Sequence, residues 1–445
     1  MTYEEARKYI KEAGRSGMMP GLVRMRALLR YLGDPQDKLQ FIHIAGTNGK
    51  GSVAAYISSI LAVSGHLVGR YVSPAVFEYE ECIQYEDMDG VHHIDRELLA
   101  QVVTEAAAAV DKMRQEGEEV PTVFEIETAM AFLAFVHWNC GVVVLEAGLG
   151  GKEDATNVIS SVVASVITPI SLDHQAVLGN TIQDIALAKA GIIRENGVVA
   201  TCQEDPGALA VIREQASGKK ASLYEVEKSD IMVLTADLEG SVFTYRQERY
   251  HTFMAGLYQV ENAALAIEAC CRLPEPFHFT GQELVLGIRK ASWQGRFEEI
   301  CTRPPVIIDG AHNPAGARAL RNTIEGLLCR RQLHGVMGVL KDKDYEAMVE
   351  ILSPLFDDVV TITPPGERGL DKDILADVWR EKGCQKVISA DTVMAGLEKA
   401  VERCGEEDAI LIFGSLSFFK ELNGESLAEL QNVKKGNWYG EKREE

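Results

Sequence analysis

The stretch Phe41 to Leu61, FIHIAGTNGKGSVAAYISSIL, constrains the fold more than any other part of the chain. An apolar run, Phe41 to Ile44, leads into a turn spaced by Gly46, Gly49 and Gly51, then into a segment whose apolar positions recur at helical spacing. Strand, glycine turn and helix in that order predict a βα unit whose turn binds phosphate. Glycines let backbone amides approach an oxyanion, the helix starting near Lys50 points its positive end at the same place, and Lys50 adds a full charge. The match to the general loop G-x-x-x-x-G-K-[ST] is incomplete: Ile44 or Ala45 stands at the first glycine, Gly51 follows the lysine, and Ser52 comes one place later. The flanking strand and the Ala/Ile-rich helix supply the context that GxxGK alone lacks. The reading is a mononucleotide site at Gly49, Lys50, Gly51 and Ser52, against the bland alternative of a plain tight βα turn.

The rest of the chain extends this α/β rhythm. Helices are expected over Tyr3 to Ala13 and Leu22 to Leu32, joined by GRSGMMPG, followed by the phosphate strand and a short strand, His66 to Val72, that ends at Ser73-Pro74. Glu80 to Asp95 reads as a hairpin or loop, Leu98 to Gln115 as a helix, and Thr122 as the start of a longer helix to Trp138. Buried strands are expected at Gly141 to Ala147 and Val162 to Thr168, a helix capped at Thr181 runs to Ala190, and Gly197 to Thr201 is a further strand. Such alternation implies a mostly parallel sheet covered on both faces. The pattern weakens between 218 and 252, where antiparallel strands are expected, and Asn262 to Cys271 is helical. From Pro305 a second βα series begins, with VIID, GVMGVL, DVVTIT, KVISA and AILIFG as its strands. At 445 residues the chain exceeds one ordinary core, and the change of rhythm places a domain boundary at 297/298, giving units 1–297 and 298–445.

A formal net charge of -21 argues against a sequence-independent nucleic-acid or anionic-membrane binder, so anionic substrates need local basic pockets. The nine cysteines are scattered and form no CxxC, which fits reduced thiols in the core better than a disulfide framework or a zinc site. The N-terminus has no leader pattern and no apolar run reaches the roughly 18 residues of a membrane span, so a cytoplasmic location is expected.

Chemistry concentrates at strand ends, where α/β sheets build sites. Ser73, Glu146 and Asp173-His174 end three predicted strands. If these strands are neighbours, a hydroxyl, a carboxylate and an imidazole converge beside the phosphate loop, an oxygen-rich set of the kind Mg²⁺ requires. Singly, Glu146 reads equally as a helix cap and His174 as an ordinary histidine. Lys189 lies in the apolar segment IALAKAGII. It either snorkels to solvent or, if buried, must be paired, neutralised or modified, and carbamylation by CO₂ would make it an anionic metal ligand. In the second series, Asp309 and His312 of DGAHNP close a strand and either face a nucleotide or cap a helix. Arg296 stands just before the boundary, within reach of a phosphate.

GTNGKGS (46 to 52), Ser73-Pro74, Phe124-Glu125, LEAGLGGKEDATN (145 to 157), ITPISLDH (167 to 174), ALAKAGI (186 to 192), YQVENAALA (258 to 266), WQGRFE (293 to 298) and DGAHNP (309 to 314) occur in one order. This series resembles the folylpolyglutamate synthase and dihydrofolate synthase family, the folate branch of the Mur ligases. The resemblance covers nearly the whole chain. It implies a P-loop-containing Mur-ligase central-type domain followed by a smaller Rossmann-like C-terminal glutamate-ligase domain. It also implies an ATP-dependent amide ligase that adds L-glutamate to dihydropteroate, to reduced folates, or to both, through an acyl phosphate. Carried over, it implies ATP binding by Gly49 to Ser52, one Mg²⁺ on Ser73 and Glu146, and a second on His174. Lys189 matches the family's carbamylated lysine. Asn262, Arg296 and Asp309, with His312 as a weaker match, fall on nucleotide positions, and Thr122, Phe124, Glu125, Glu153, Asp154 and Ala155 fall on the pterin or folate pocket. A monomer is expected.

The sequence departs from the family pattern at Ala75-Val76, at Cys82, and at Lys152, where an arginine is usual and bidentate geometry is lost. These changes lie on the pterin and glutamate side rather than around ATP. Two alternatives follow: a Mur-type ligase acting on another carboxylate, and a nucleotide-binding regulator that does not ligate. The short N-terminus and the GKGS loop disfavour a UDP-sugar ligase. The cation-binding residues and Lys189 disfavour a pure binder.

Overall fold

The computed structural model describes residues 1–13 and 19–422. The expected N-terminal connection 14–21 therefore lies mostly outside the described residues, as does the tail 423–445 of the expected second unit. Helices α1 (Tyr3–Ala13) and α2 (Val23–Tyr31) precede β1 (Phe41–Ala45), α3 (Lys50–Val63), β2 (Val68–Tyr71), β3 (Ile83–Asp87) and β4 (Gly90–His93). The chain continues through α4 (Arg96–Gln115), α5 (Val123–His137), β5 (Val142–Glu146), β6 (Val162–Ile167), α6 (Gln175–Leu178), α7 (Ile182–Ala190), β7 (Val198–Thr201), α8 (Pro206–Gly218) and β8 (Ser222–Glu225). These eight strands form one sheet in the order β4-β3-β2-β5-β1-β6-β7-β8. Six are parallel, and the hairpin β3–β4 adds an antiparallel edge.

The central strands β1 and β5 are buried along their whole length. Each fully buried Val or Ile side chain there contributes about 1.5–3 kcal/mol. One face of the sheet is covered by α1, α2, α4 and α5. On the other, α3 is sandwiched between the sheet and helices α9 (Tyr258–Cys271) and α10 (Gly281–Lys290), which is why α3 carries apolar or small residues on nearly every side. Its N-terminus at Lys50 is thereby fixed against the strand ends.

Between 218 and 252 the antiparallel expectation holds in part. β8 pairs parallel with β7 and extends the large sheet, whereas β9 (Ile231–Asp237), β10 (Gly240–Tyr245) and β11 (Glu248–Thr252) form a separate antiparallel sheet. A four-residue strand carries too little periodicity to declare its sheet. Helix α9 begins four residues before the expected Asn262. Helices α8 and α10 were not anticipated, although Asp205-Pro206 and the box Thr280-x-x-Glu283 mark their starts.

The six-stranded sheet contains β12 (Glu298–Thr302), β13 (Pro305–Asp309), β14 (Leu333–Met337), β15 (Asp358–Ile362), β16 (Val387–Ala390) and β17 (Ala409–Phe413), in the order β12-β13-β17-β14-β15-β16. β12 is antiparallel to β13, so the Pro305 strand is the second of this series rather than the first. Helices α11 (Pro314–Leu327), α12 (Tyr345–Leu352), α13 (Lys372–Glu381) and α14 (Val393–Val401) pack on its two faces. Among the described residues no helix is long and apolar enough to cross a membrane. No disulfide is present there, and six of the nine cysteines are buried.

Candidate active site

The carboxyl ends of β1, β2, β5 and β6 meet those of β13 and β14 around one cavity of about 1530 Å³. All the candidate residues singled out from the sequence border it. The glycine turn after β1 forms its floor. Gly46 approaches Thr168 so closely that a Cβ would collide with the threonine side chain, and Gly49, at φ 87°, would press a Cβ onto Asn262 Oδ1. Asn262 is held by a 2.9 Å bond from its Nδ2 to Gln259 Oε1. The loop is thus shaped by contacts from α9 as well as by its own sequence.

Lys50 Nζ lies 3.3 Å from Thr47 O and 3.7 Å from Glu146 Oε1. Burial raises the Glu146 carboxyl, opposed by the charges of Lys50 and Arg296 and by the Ser73 backbone N–H. Ser52 Oγ, at the cavity wall, is buried with no hydrogen-bond partner. An unpartnered hydroxyl, a carboxylate and loop amides are the set that a magnesium-bound phosphate would satisfy. Lys189, on α7, is buried and donates from Nζ to Gly46 O at 2.7 Å. Burial, aided by Lys50, pulls it down to about 7, so the snorkelling alternative does not apply.

Asp173 is the junction with the six-stranded sheet. It accepts from Lys343 Nζ at 2.6 Å and from Asn313 Nδ2 at 3.2 Å, and His312 Nε2 lies 3.6 Å away. Burial would raise it, but His312 and Lys343 outweigh that and hold it well below the usual carboxylate range. Burial at the cavity wall and the Lys343 ammonium take the neighbouring His174 down to about 4. Asn48 of the phosphate loop exchanges two amide hydrogen bonds with Asn313, at 3.1 and 3.0 Å. Asn48, Asn313 and Lys343 were not singled out from sequence. The first two lie inside the quoted motifs, whereas nothing local marks Lys343.

Several expected site residues have structural partners already. Asp309 accepts from Tyr258 Oη at 2.6 Å, Phe297 N at 2.9 Å and Ala311 N at 2.8 Å. Arg296 crowds Gly310 and donates to Gly295 O at 3.3 Å. Thr122 and Glu125 form a capping box at the start of α5, and Glu125 Oε2 also accepts from Arg24 Nε at 3.2 Å. The other Glu125 oxygen is buried without a partner. Asp154 accepts from Leu149 N at 2.7 Å and from Thr156, fixing the glycine loop after β5, while Ala155 is buried beside it and Glu153 is exposed. The Phe124 ring lies over Gly148, where any Cβ would strike it.

The Mur ligase middle domain model matches residues 44–270, and the Mur ligase, glutamate ligase domain model matches residues 295–416. The dihydrofolate synthase/folylpolyglutamate synthase of Bacillus subtilis is 35% identical over 430 residues, covering 94% of this chain and 98% of its own. The folylpolyglutamate synthase of Lacticaseibacillus casei is 34% identical over 400 residues, covering 86% and 92%. Among solved structures, Mycobacterium tuberculosis folylpolyglutamate synthase complexed with ADP and AMPPCP superposes with a TM-score of 0.85 at 31% identity, over 95% of this chain and 99% of that one. E. coli FolC in complex with DHPP and ADP gives 0.83 at 26%, over 98% and 99%. With the phosphate loop, Lys189 and the Asp173 junction around one cavity, this chain belongs to the dihydrofolate synthase/folylpolyglutamate synthase family of the Mur ligases.

Proposed function

We propose that the cavity joins L-glutamate to dihydropteroate, to the γ-carboxylate of reduced folates, or to both, using ATP. The observation that carries this reading is the opening of the Gly46–Ser52 loop into the cavity lined by Lys189, Glu146, Phe124 and the Asp173–Lys343 pair. A substrate carboxylate oxygen attacks the γ-phosphorus, the bond to the β,γ-bridging oxygen breaks, and ADP leaves. The glutamate amine then adds to the acyl phosphate carbonyl, loses a proton, and expels phosphate as the amide forms. Such chemistry asks the protein for positioning and charge neutralisation.

Gly49, Gly51 and Ser52 cradle the phosphates, and Lys50 neutralises charge that builds on the transferred group. Ser73, Glu146 and His174 are suited to hold Mg²⁺ at two sites, where it would screen the phosphate oxygens from the incoming carboxylate. Lys189, buried and half neutral near pH 7, is the amine to carry a carbamate; the carbamate would supply a buried anion for the second of these sites. Asn262, Arg296, Asp309 and His312 border the nucleotide, with Asp309 acting by holding Tyr258 and Phe297 in place. Phe124 offers a ring face to the folate. Thr122, Glu125, Asp154 and Ala155 shape its pocket, and Glu153 stands at its exposed mouth. Residues 1–297 form the ATP-binding unit and 298–445 the glutamate-ligase unit, working as a cytoplasmic monomer.

The test is ADP release with Mg²⁺, ATP and L-glutamate, comparing dihydropteroate with tetrahydrofolate and identifying products by mass spectrometry. Turnover with either acceptor supports the reading and says which reaction is catalysed. Silence with both moves the enzyme to another carboxylate.

A further inference from the structure

The six-stranded sheet carries a second cluster of chemically able side chains at its other rim, where the strands begin. His334 is the second residue of β14, Asp358 is the first of β15, and Asp408 immediately precedes β17. Because β14 lies between β15 and β17, three strand starts come together there, and Cys404 reaches them from the connection after α14. Asp309 ends β13 and Lys343 lies in the connection that follows β14, both at the carboxyl rim, and none of the cluster's residues lines the cavity.

His334 Nδ1 lies 2.8 Å from Asp358 Oδ2, and its Nε2 lies 3.3 Å from Asp408 Oδ2. A neutral imidazole has one N–H, so with a carboxylate at each nitrogen one contact sets lone pair against lone pair. Only a second proton or a metal cation makes both contacts favourable. Cys404 adds a sulfur ligand to the second alternative. It is buried, its Sγ lies 3.4 Å from Gly405 O, and the ligand atoms of His334, Cys404 and Asp408 all lie within 4.8 Å of one another.

We propose that His334 Nε2, Cys404 Sγ and an Asp408 carboxylate oxygen form a structural site for a zinc-class divalent cation, with water as the fourth ligand. Two ligands at about 2.0 Å on a tetrahedral zinc stand about 3.3 Å apart, the spacing found between His334 and Asp408. Asp358 is the outer carboxylate that holds a metal-bound histidine in one tautomer, and Arg403 lies 3.9 Å from its other oxygen. A thiolate, an imidazole and one carboxylate favour zinc over magnesium or calcium. Binding displaces the thiol proton and any second imidazole proton to solvent, with no change of oxidation state. The thiolate and one carboxylate then balance the dication. The scattered cysteines hide this site from spacing rules, because its three ligands are spread over residues 334 to 408. The proposal is independent of the ligase reading.

The test uses the full chain, stripped with a chelator and titrated anaerobically with Co²⁺ in excess Mg²⁺. One equivalent is expected to give tetrahedral ligand-field bands and a thiolate-to-cobalt charge-transfer band, and Zn²⁺ should displace it; the Cys404 variant separates this band from any arising at Cys82, which borders the catalytic cavity. Cys404→Ser should lose the charge-transfer band while keeping its ADP-release activity, which shows that it folds. Asp358→Asn should bind Co²⁺ about 10- to 100-fold more weakly. No thiolate band in the parent chain, a band that survives Cys404→Ser, or an unchanged thermal midpoint on adding Zn²⁺ would each overturn the site and leave the cluster held by a proton.

Discussion

Glu146 and Asp309 invite comparison, because each is a buried carboxylate at the end of a parallel strand facing the same cavity. Asp309 is saturated: a tyrosine hydroxyl and two backbone amides occupy it within 2.9 Å. Glu146 has only the Ser73 amide and a lysine 3.7 Å away, although burial raises both carboxyls. Position on a strand therefore does not assign a role; the state of the partners does. A carboxylate whose oxygens are already satisfied holds structure together, whereas one left short of donors keeps capacity for a cation or phosphate.

The sharpest way to break this contrast is to empty the floor of the cavity. Lys50→Ala should reduce ADP formation by more than about 10²-fold if, as proposed, its charge meets the transferred phosphoryl group. Unchanged turnover would remove the phosphate loop from the chemistry. Glu146→Gln should lower turnover by about 10²-fold while the thermal midpoint stays level or rises, since an under-partnered buried charge has been neutralised. A fall in stability without loss of turnover would reverse the two carboxylates' roles.

Lys189→Ala should also lose most activity, and short carboxylic acids should restore part of it by supplying the missing anion. The same lysine gives a pH signature. The neutral amine is the form that captures CO₂, and its fraction grows as pH rises through about 7. Carbamate content, followed by ¹³C NMR with labelled bicarbonate, should therefore climb over about two pH units centred there and then level off. A flat profile would take the modification away from Lys189.

Smaller effects are expected from the saturated side. Asp309→Asn sets an amide N–H₂ against groups that are themselves donors and should cost about 1–3 kcal/mol in chemical denaturation. A neutral result would mean that its partners have other acceptors. Smallest of all, Asn48→Ala removes the two neutral amide bonds to Asn313. At about 1 kcal/mol each, their loss should raise KM for ATP by no more than about 30-fold, with kcat nearly preserved.

Much of the fold was legible because its signals are local. The β1–turn–α3 unit, the buried run of β5 and the capping boxes at Thr122 and Thr181 are each specified by residues within a few positions of one another. β8 and β12 were misread or missed because short strands take their pairing from distant neighbours rather than from their own pattern. That Ser73, Glu146, His174 and Asp309 border one cavity was legible as well, since α/β chains bring strand ends together. Their division of labour was not.

What the sequence determined by itself was the alternation of strands and helices, the phosphate turn, and the residue types able to meet ATP and a carboxylate. Tertiary structure decided that Asn48 pairs with Asn313 across 265 residues, that Lys343 neutralises Asp173 across 170, and that Lys189 is buried against Gly46 across 143. It also decided that Asp154 and Asp309 are filled by close hydrogen-bond donors while Glu146 has one amide and a lysine 3.7 Å away. The reason is physical. Backbone preference and amphipathic spacing act between near neighbours in the chain, but desolvation, charge pairing and hydrogen-bond saturation depend on whichever groups the packed sheets bring within a few ångströms.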